Sequence, residues 1–277
     1  MALVGANVAV AKALSEALPI ALVAFLRCLL ACMVLWPLAR LRDGRVVPRP
    51  AARRNLALQA LFGTAVYNAG LLAGLRLTGV LEAGLVLSTL PAVVALGAAA
   101  WLRERLSPRG WAAVALAVAG MGAVTLARAD GAGQSSAVGN ALVFAGVCGE
   151  AVYVLLARRI AGEVPVLTAS LRMQAWSAAV LLPFALPGFG AAGALAAPGL
   201  AALLVFHSLT ASVLCVVLWY AGLRRVPAGV AGLFTGFLPL TAALVAVAAL
   251  GEPVSAPHVA GFALMGASLL AAFGGRR

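Results

Sequence analysis

The chain has 277 residues, 64% of them hydrophobic and 10% charged. A soluble domain is roughly a quarter charged, and no water-soluble chain of this size hides so much apolar surface. A soluble enzyme or binding module is therefore excluded, and the natural solvent is lipid. The net charge of +12 does not point to nucleic acid, because the cations form short clusters between apolar runs rather than a groove-facing stripe.

About 20 apolar residues cross ~30 Å of hydrocarbon. On that rule the sequence predicts spans near 1–16, 19–39, 55–75, 78–101, 107–127, 137–158, 166–187, 198–222, 226–250 and 255–273. The breaks carry the expected punctuation: Pro19, "RDGRVVPRP", Thr78-Gly79, Ser107-Pro108, "ADGAGQSS", Pro165, "PGFGAAGALAAPG", Pro227 and "GEPVSAP". The chain is already apolar at Ala2, which suggests a shortened start. With the N-terminus inside, fifteen of the twenty basic residues fall in cytoplasmic segments, from Arg40 to the tail Arg276 and Arg277. Only Arg76, Arg128 and Lys12 lie toward the outside. The positive-inside rule then places both termini in the cytoplasm, and the expected location is a bacterial inner membrane.

Ionisable and polar residues within spans are functional candidates by default. In the first span stands Asn7, and in the second Arg27, at similar depth from the outer side. Tyr67 and Asn68 lie in the third span, and Glu82, Ser88 and Pro91 in the fourth. Glu150 and Tyr153 lie in the sixth, Arg172 and Trp176 in the seventh, His207 in the eighth, and Thr235 and Pro239 in the ninth. At 1.5 Å per residue, Glu150 and Arg172 sit at about 12 and 9 Å from the cytoplasmic side, so a pair clamping two helices is one reading. The other is that Glu150 or an Arg meets the ammonium or carboxylate of a zwitterion. Arg172 has a third option, snorkelling to the interface. Glu82 reads as a wetted cavity rim or a site residue. Glu104 reads as a loop ion pair or cap, hemmed by Arg103 and Arg105. His207 reads as a hydrogen-bonded helix contact. Tyr67, Tyr153 and Trp176 are deep enough to line a cavity for planar or apolar side chains, or simply to pack. Gly70-x-x-x-Gly74 and Gly232-x-x-x-Gly236 predict close helix contacts within the fold. Cys28, Cys32, Cys148 and Cys215 lie in apolar runs without a CxxC, and the two His have no metal-ligand spacing. No cofactor or metal is expected.

Two prolines bear on mechanism. Pro91 and Pro239 fall in the middle of spans 4 and 9, where each would free the carbonyl four residues back, at Leu87 and Thr235. Broken backbone at membrane depth is tolerated where it is buried in protein or lines a cavity. The expectation is a pair of hinges facing a central cavity.

These prolines also mark an internal repeat. At an offset of 148, sixteen of the 35 positions from 73 to 107 are identical, including "AGLR", Leu90-Pro91 with Leu238-Pro239, and Glu104 with Glu252. Gly5, Pro19 and Leu26-Arg27 answer Gly149, Pro165 and Leu171-Arg172 with small gaps. Each half, 1–130 and 131–277, has five spans, so the second half must enter the membrane from the opposite side. Inverted repeats are a mark of secondary transporters, with the substrate site near midplane.

The pieces "GANVAVAKAL", "PIALVAFLRCLLA", "LPAVVALGAAAWLRERLSPRGWAAVALAVAGMGAV", "PVLTASLR" and "LPLTAALVAVAALGEPVSAPHVAGFALMGASLL" resemble the drug/metabolite transporter superfamily, EamA type. Val4 stands where that family usually has Trp. The resemblance covers nearly the whole chain and implies an all-α integral membrane fold of ten transmembrane helices in two inverted five-helix repeats. Within the superfamily the chain looks most like amino-acid exporters, including those for aromatic amino acids. The function expected is export of small metabolites, amino acids first, by alternating access. Nucleotide sugars or quaternary cations are the alternative cargo. An intramembrane enzyme is disfavoured by the lack of HExxH and GxSxG, and direct ATP drive by the lack of a Walker motif. Proton coupling would draw on Glu82 or Glu150; facilitated diffusion fits equally. The partners are a small-molecule substrate and the bilayer, with monomer and homodimer both open.

Overall fold

A computed structural model describes residues 2–78, 83, 86–127, 136–236, 241 and 256–273. Among these, the regular structure is helical: α1 (Ala2–Ala17), α2 (Ile20–Arg42), α3 (Pro50–Leu75), α4 (Leu90–Trp101), α5 (Pro108–Ala127), α6 (Ala137–Arg159), α7 (Val166–Ala185), α8 (Pro198–Leu223), α9 (Ala228–Leu233) and α10 (Ala256–Phe273). A 3₁₀ stretch, Leu186–Ala196, extends α7 through the predicted "PGFGAAGALAAPG" break, so that Val166–Ala196 reads as one membrane-length unit. It is one of five units long and apolar enough to cross a membrane, with Ile20–Arg42, Pro50–Leu75, Ala137–Arg159 and Pro198–Leu223. Large apolar side chains remain exposed on their outer faces, such as Leu41 at 83% and Phe184 at 65%, which suits a lipid-facing surface.

The helix ends follow from local chemistry. Pro19 and Pro165 take extended ψ of 132° and 144° as the N-cap residues of α2 and α7, the non-helical backbone usual at that position. Asp43, just beyond α2, caps α7 from a distance: its Oδ2 accepts from Thr168 N and Thr168 Oγ1, both at 2.8 Å. Ser136 caps α6 through Gly139 N at 3.2 Å. Basic residues close α2 (Arg40, Arg42) and α6 (Arg158, Arg159), where they complement the helix dipole.

Helix pairing has a pattern. α2 packs on α7, α5 on α10, α4 on α9, α3 on α6 and α1 on α8. Exchanging α1–α5 for α6–α10 maps the first three pairs onto themselves and the last two onto each other. The α3–α6 seam brings backbones into contact. A Cβ added at Gly70 would stand 2.7 Å from Leu142 O and 2.8 Å from Gly146 N, and one at Gly74 would stand 2.8 Å from Gly139 O. The GxxxG reading of Gly70 and Gly74 is thus a contact within the fold, as is Gly232, where a Cβ would meet Val94 at 2.9 Å.

Two features were not legible from hydropathy. α3 and α8 each contain a π-helical turn, Leu61–Val66 and Ser208–Leu214. They recur at the sequence offset of 148, as do the helix starts Pro50 and Pro198. Prolines also stand inside α2 (Pro37) and α7 (Pro183), at the same relative offset as Pro19 and Pro165.

The proline expected to kink span 4 does something else. Span 4 is not continuous: Ser88 and Thr89 form a turn, and Pro91 sits in the first turn of α4. There its missing N–H is one of those a helix leaves unpaired anyway. The carbonyl bonded by a side chain is Val86 O, which accepts from Thr89 Oγ1 at 2.6 Å, rather than Leu87 O. Pro239, Glu82 and Glu252 lie outside the described residues.

Candidate functional site

The π turn of α8 gathers one polar cluster. Arg27 Nη1 donates to Ser212 Oγ at 2.8 Å, and Ser208 Oγ donates to Arg27 O at 2.7 Å. Asn7 Oδ1 lies 3.0 Å from His207 Nδ1 and accepts from Thr210 Oγ1 at 2.9 Å. Asn7 and Arg27, at similar depth in adjacent spans, both turn to α8, where the π turn offers hydroxyls at three of its seven positions. His207 is the buried, hydrogen-bonded contact its sequence context suggested, at 6% exposure.

A π turn carries one extra residue and releases a carbonyl from the α-helical ladder; such turns are rare and favour functional sites. Here two carbonyls at equivalent positions, 148 residues apart, each accept a side-chain amide, one from a neighbouring helix and one from the same helix. Ser212 O accepts from Gln174 Nε2 and Thr64 O from Asn68 Nδ2, both at 2.6 Å. Thr64 and Ser177 hydroxyls meet at 3.1 Å. Gln174 and Ser177 share one face of α7, three residues apart. A polar belt thus runs through the membrane interior, from Arg27 through Ser212, Gln174, Ser177 and Thr64 to Asn68. Below it, Tyr220 Oη donates to Gln59 Oε1, and Gln59 Nε2 donates to Asn55 Oδ1 at 2.6 Å.

A separate group holds aromatic side chains and one acid. Glu150 is half-buried on α6, within electrostatic reach of Tyr67 and Tyr153. Tyr153 packs beside Gly63 and shares two apolar clusters with Trp219. Among the described residues, no acceptor meets the buried Trp219 indole N–H. Among the described residues, no hydrogen bond or ion pair reaches the Glu150 carboxylate, and Arg27 has no carboxylate at ion-pair distance. The expected Glu150–Arg172 clamp does not form. Arg172 is exposed at the edge of a pocket with Arg40 and Arg45, the snorkelling option, whereas Glu150 stays half-buried on α6.

The other predicted residues separate from this group. Trp176 is 44% exposed, one turn beyond Arg172 on the same face of α7. Ser88 and Thr235 are buried at 5% each, beside the breaks in α4 and after α9. Thr235 Oγ1 donates to Gly232 O at 2.6 Å, three residues back, as Thr89 does to Val86. Sequence reading missed Gln174, Ser177 and Ser212. Their signal was available as amide and hydroxyl side chains one turn apart in apolar spans.

At one end of the bundle, Glu104 pairs with Arg158 at 3.3 Å, and Arg158 Nη1 donates to Leu223 O at 2.8 Å. Gly229 N donates to Glu104 Oε2 at 3.4 Å. The ion pair is with a residue 54 positions away rather than with the flanking Arg103 or Arg105, and it ties α4, α6, α8 and α9. Arg103, at φ 54°, occupies the left-handed region.

Two stretches of the chain, residues 1–126 and 137–274, match the EamA-like transporter family. The chain belongs to that family. It is 32% identical over 275 residues to the uncharacterized transporter YetK of Bacillus subtilis (strain 168), covering 95% of this chain and 81% of that protein. A solved crystal structure superimposes with a TM-score of 0.78 over 98% of this chain and 93% of its own, at 22% identity; that likeness shows the fold alone. This EamA-like protein is a membrane transporter.

Proposed function

We propose that this EamA-like protein exports amino acids, with a preference for aromatic or large apolar side chains, by alternating access. The observation that carries the reading is a cation and an anion within the helices, Arg27 on the polar belt and Glu150 in the aromatic group, each without a counter-charge among the described residues. An isolated charge in a membrane span is costly and is usually paired. A zwitterion supplies both partners: its carboxylate meets Arg27 and its ammonium meets Glu150. Tyr67, Tyr153 and Trp219 offer planar faces and one unmatched N–H to the side chain. The paired π turns, the exchange-symmetric helix pairs and the two family matches support two inverted repeats around this belt. The breaks at Ser88–Thr89 and Phe234–Gly236, each with a threonine bonded three residues back, are the proposed hinges, with Pro91 and Pro239 just beyond them. Both termini are cytoplasmic in this scheme, and the membrane is the bacterial inner membrane.

The aromatic group with one acid also supports a second cargo, an organic cation held by cation–π contact. Arg27 separates the two. In liposome counterflow, Glu150→Gln is expected to abolish exchange of amino acids, and Arg27→Gln to weaken it at least about tenfold. Wild-type exchange of quaternary cations with Arg27→Gln unaffected would install the second cargo. Saturable amino-acid exchange undisturbed by either substitution would sink both.

A further inference from the structure

Arg172 is a cation that neither the belt nor the Glu104–Arg158 pair uses. It borders an open pocket between the end of α2 and the start of α7, together with Trp36, Arg40, Arg45, Val47 and Leu171. We propose that this pocket binds the phosphate of an anionic phospholipid, whose acyl chains lie along the outer face of α2.

Three guanidiniums converge there, and arginine's planar fork matches phosphate oxygens. Basic pockets between helices at the membrane surface bind anionic head groups. Several contacts hold the pocket in shape. Arg40 lies over the Trp36 ring at 4.9 Å. Gly44, at φ 73°, turns the chain so that Arg45 comes back over the same hollow. Asp43, the acid beside it, spends its Oδ2 on Thr168 N and Oγ1, tying the α2 end to α7. No ion pair to Arg40, Arg45 or Arg172 occurs among the described residues.

A free phosphate would need only these arginines. A lipid also needs an apolar path leading away from them, and one is present. Leu29, Met33 and Trp36 are 36%, 61% and 55% exposed. With Arg40 they repeat at helical spacing on one face of α2. Trp36, six residues inside the helix end, sits at roughly 9 Å depth, near the interface that Trp favours. Leu171 and Val47 complete an apolar floor. Because the pocket straddles the α2–α7 contact, the lipid would bridge the two halves of the chain.

The test uses the full chain, purified in an uncharged detergent and examined by native mass spectrometry with dioleoyl phosphatidylglycerol, dioleoyl phosphatidylcholine or inorganic phosphate. One phosphatidylglycerol should be retained about tenfold better than phosphatidylcholine. Arg45→Gln with Arg172→Gln should cut that retention about tenfold. Arg53→Gln with Arg54→Gln, two exposed cations on α3 away from the pocket, should leave it unchanged. Equal retention of the two lipids, or an equal loss in both variants, overturns the site in favour of diffuse surface charge. Displacement of the lipid by inorganic phosphate overturns the lipid assignment. If the double variant does not remain monodisperse, Arg45→Gln alone, on an exposed loop, gives the same reading with a smaller drop; no drop there also overturns it.

Discussion

Trp219 carries its indole N–H into the interior, where no acceptor meets it among the described residues. An unmade buried donor costs about 1–3 kcal/mol. Trp219→Phe keeps a ring and removes the donor, so the empty protein should gain about 1 kcal/mol of stability in thermal unfolding. If the N–H serves the cargo, the same variant should lose about tenfold in apparent affinity during counterflow. A more stable protein with unchanged affinity would make Trp219 a packing residue only. The residue scale is where sequence reading and structure part most clearly. Arg172 and Glu150 have compatible depths, but depth fixes only one coordinate. The direction in which each side chain leaves its helix decided that Arg172 goes to the surface while Glu150 stays half-buried on α6.

At the scale of elements, the π turns depend on side-chain amides. Gln174→Leu removes the donor to Ser212 O and should cost about 1–3 kcal/mol, because a carbonyl in a membrane interior has no water to turn to. Unfolding in detergent measures it. Asn68, serving Thr64 O, is exposed, so Asn68→Leu should cost less; the reverse order would refute the account of the turns. The α3–α6 seam allows no such compromise. A Cβ at Gly146 would meet Tyr67 O at 3.0 Å, and the branches of Gly146→Leu would have to separate two backbones. The expected outcome is loss of folded protein on size exclusion, whereas Gly190→Ala, with nothing within 4 Å, should be neutral. The glycine spacing in α3 announced this seam. The π turns had no such announcement, because hydropathy does not change where one residue is inserted into a helix.

For the molecule as a whole, Glu104 and Arg158 join four elements at one end. On the proposed topology that end is cytoplasmic, so the pair holds the inner side closed. Glu104→Gln or Arg158→Gln should each raise labelling of buried Cys215 by a membrane-impermeant maleimide from inside, about two- to fivefold. The double variant should add little, since either change already breaks the pair. Labelling that stays flat would make the contact a passive tie. Reporter fusions at both ends test the orientation itself, and an external C-terminus would reverse the assignment of this gate.

Composition and apolar run lengths were enough to determine the solvent, the helical class and most helix bounds, because a backbone in lipid must satisfy its own hydrogen bonds. The 148-residue offset marked out matching stretches in the two parts of the sequence, down to shared prolines and glycines. Tertiary structure alone decided which polar groups meet. Arg27 chose Ser212 over Asn7, Glu104 chose Arg158 over its neighbours, and Pro91 began a helix instead of bending one. Each outcome rests on helix rotation and packing angle, and a hydropathy pattern leaves both unspecified when nearly every face is apolar.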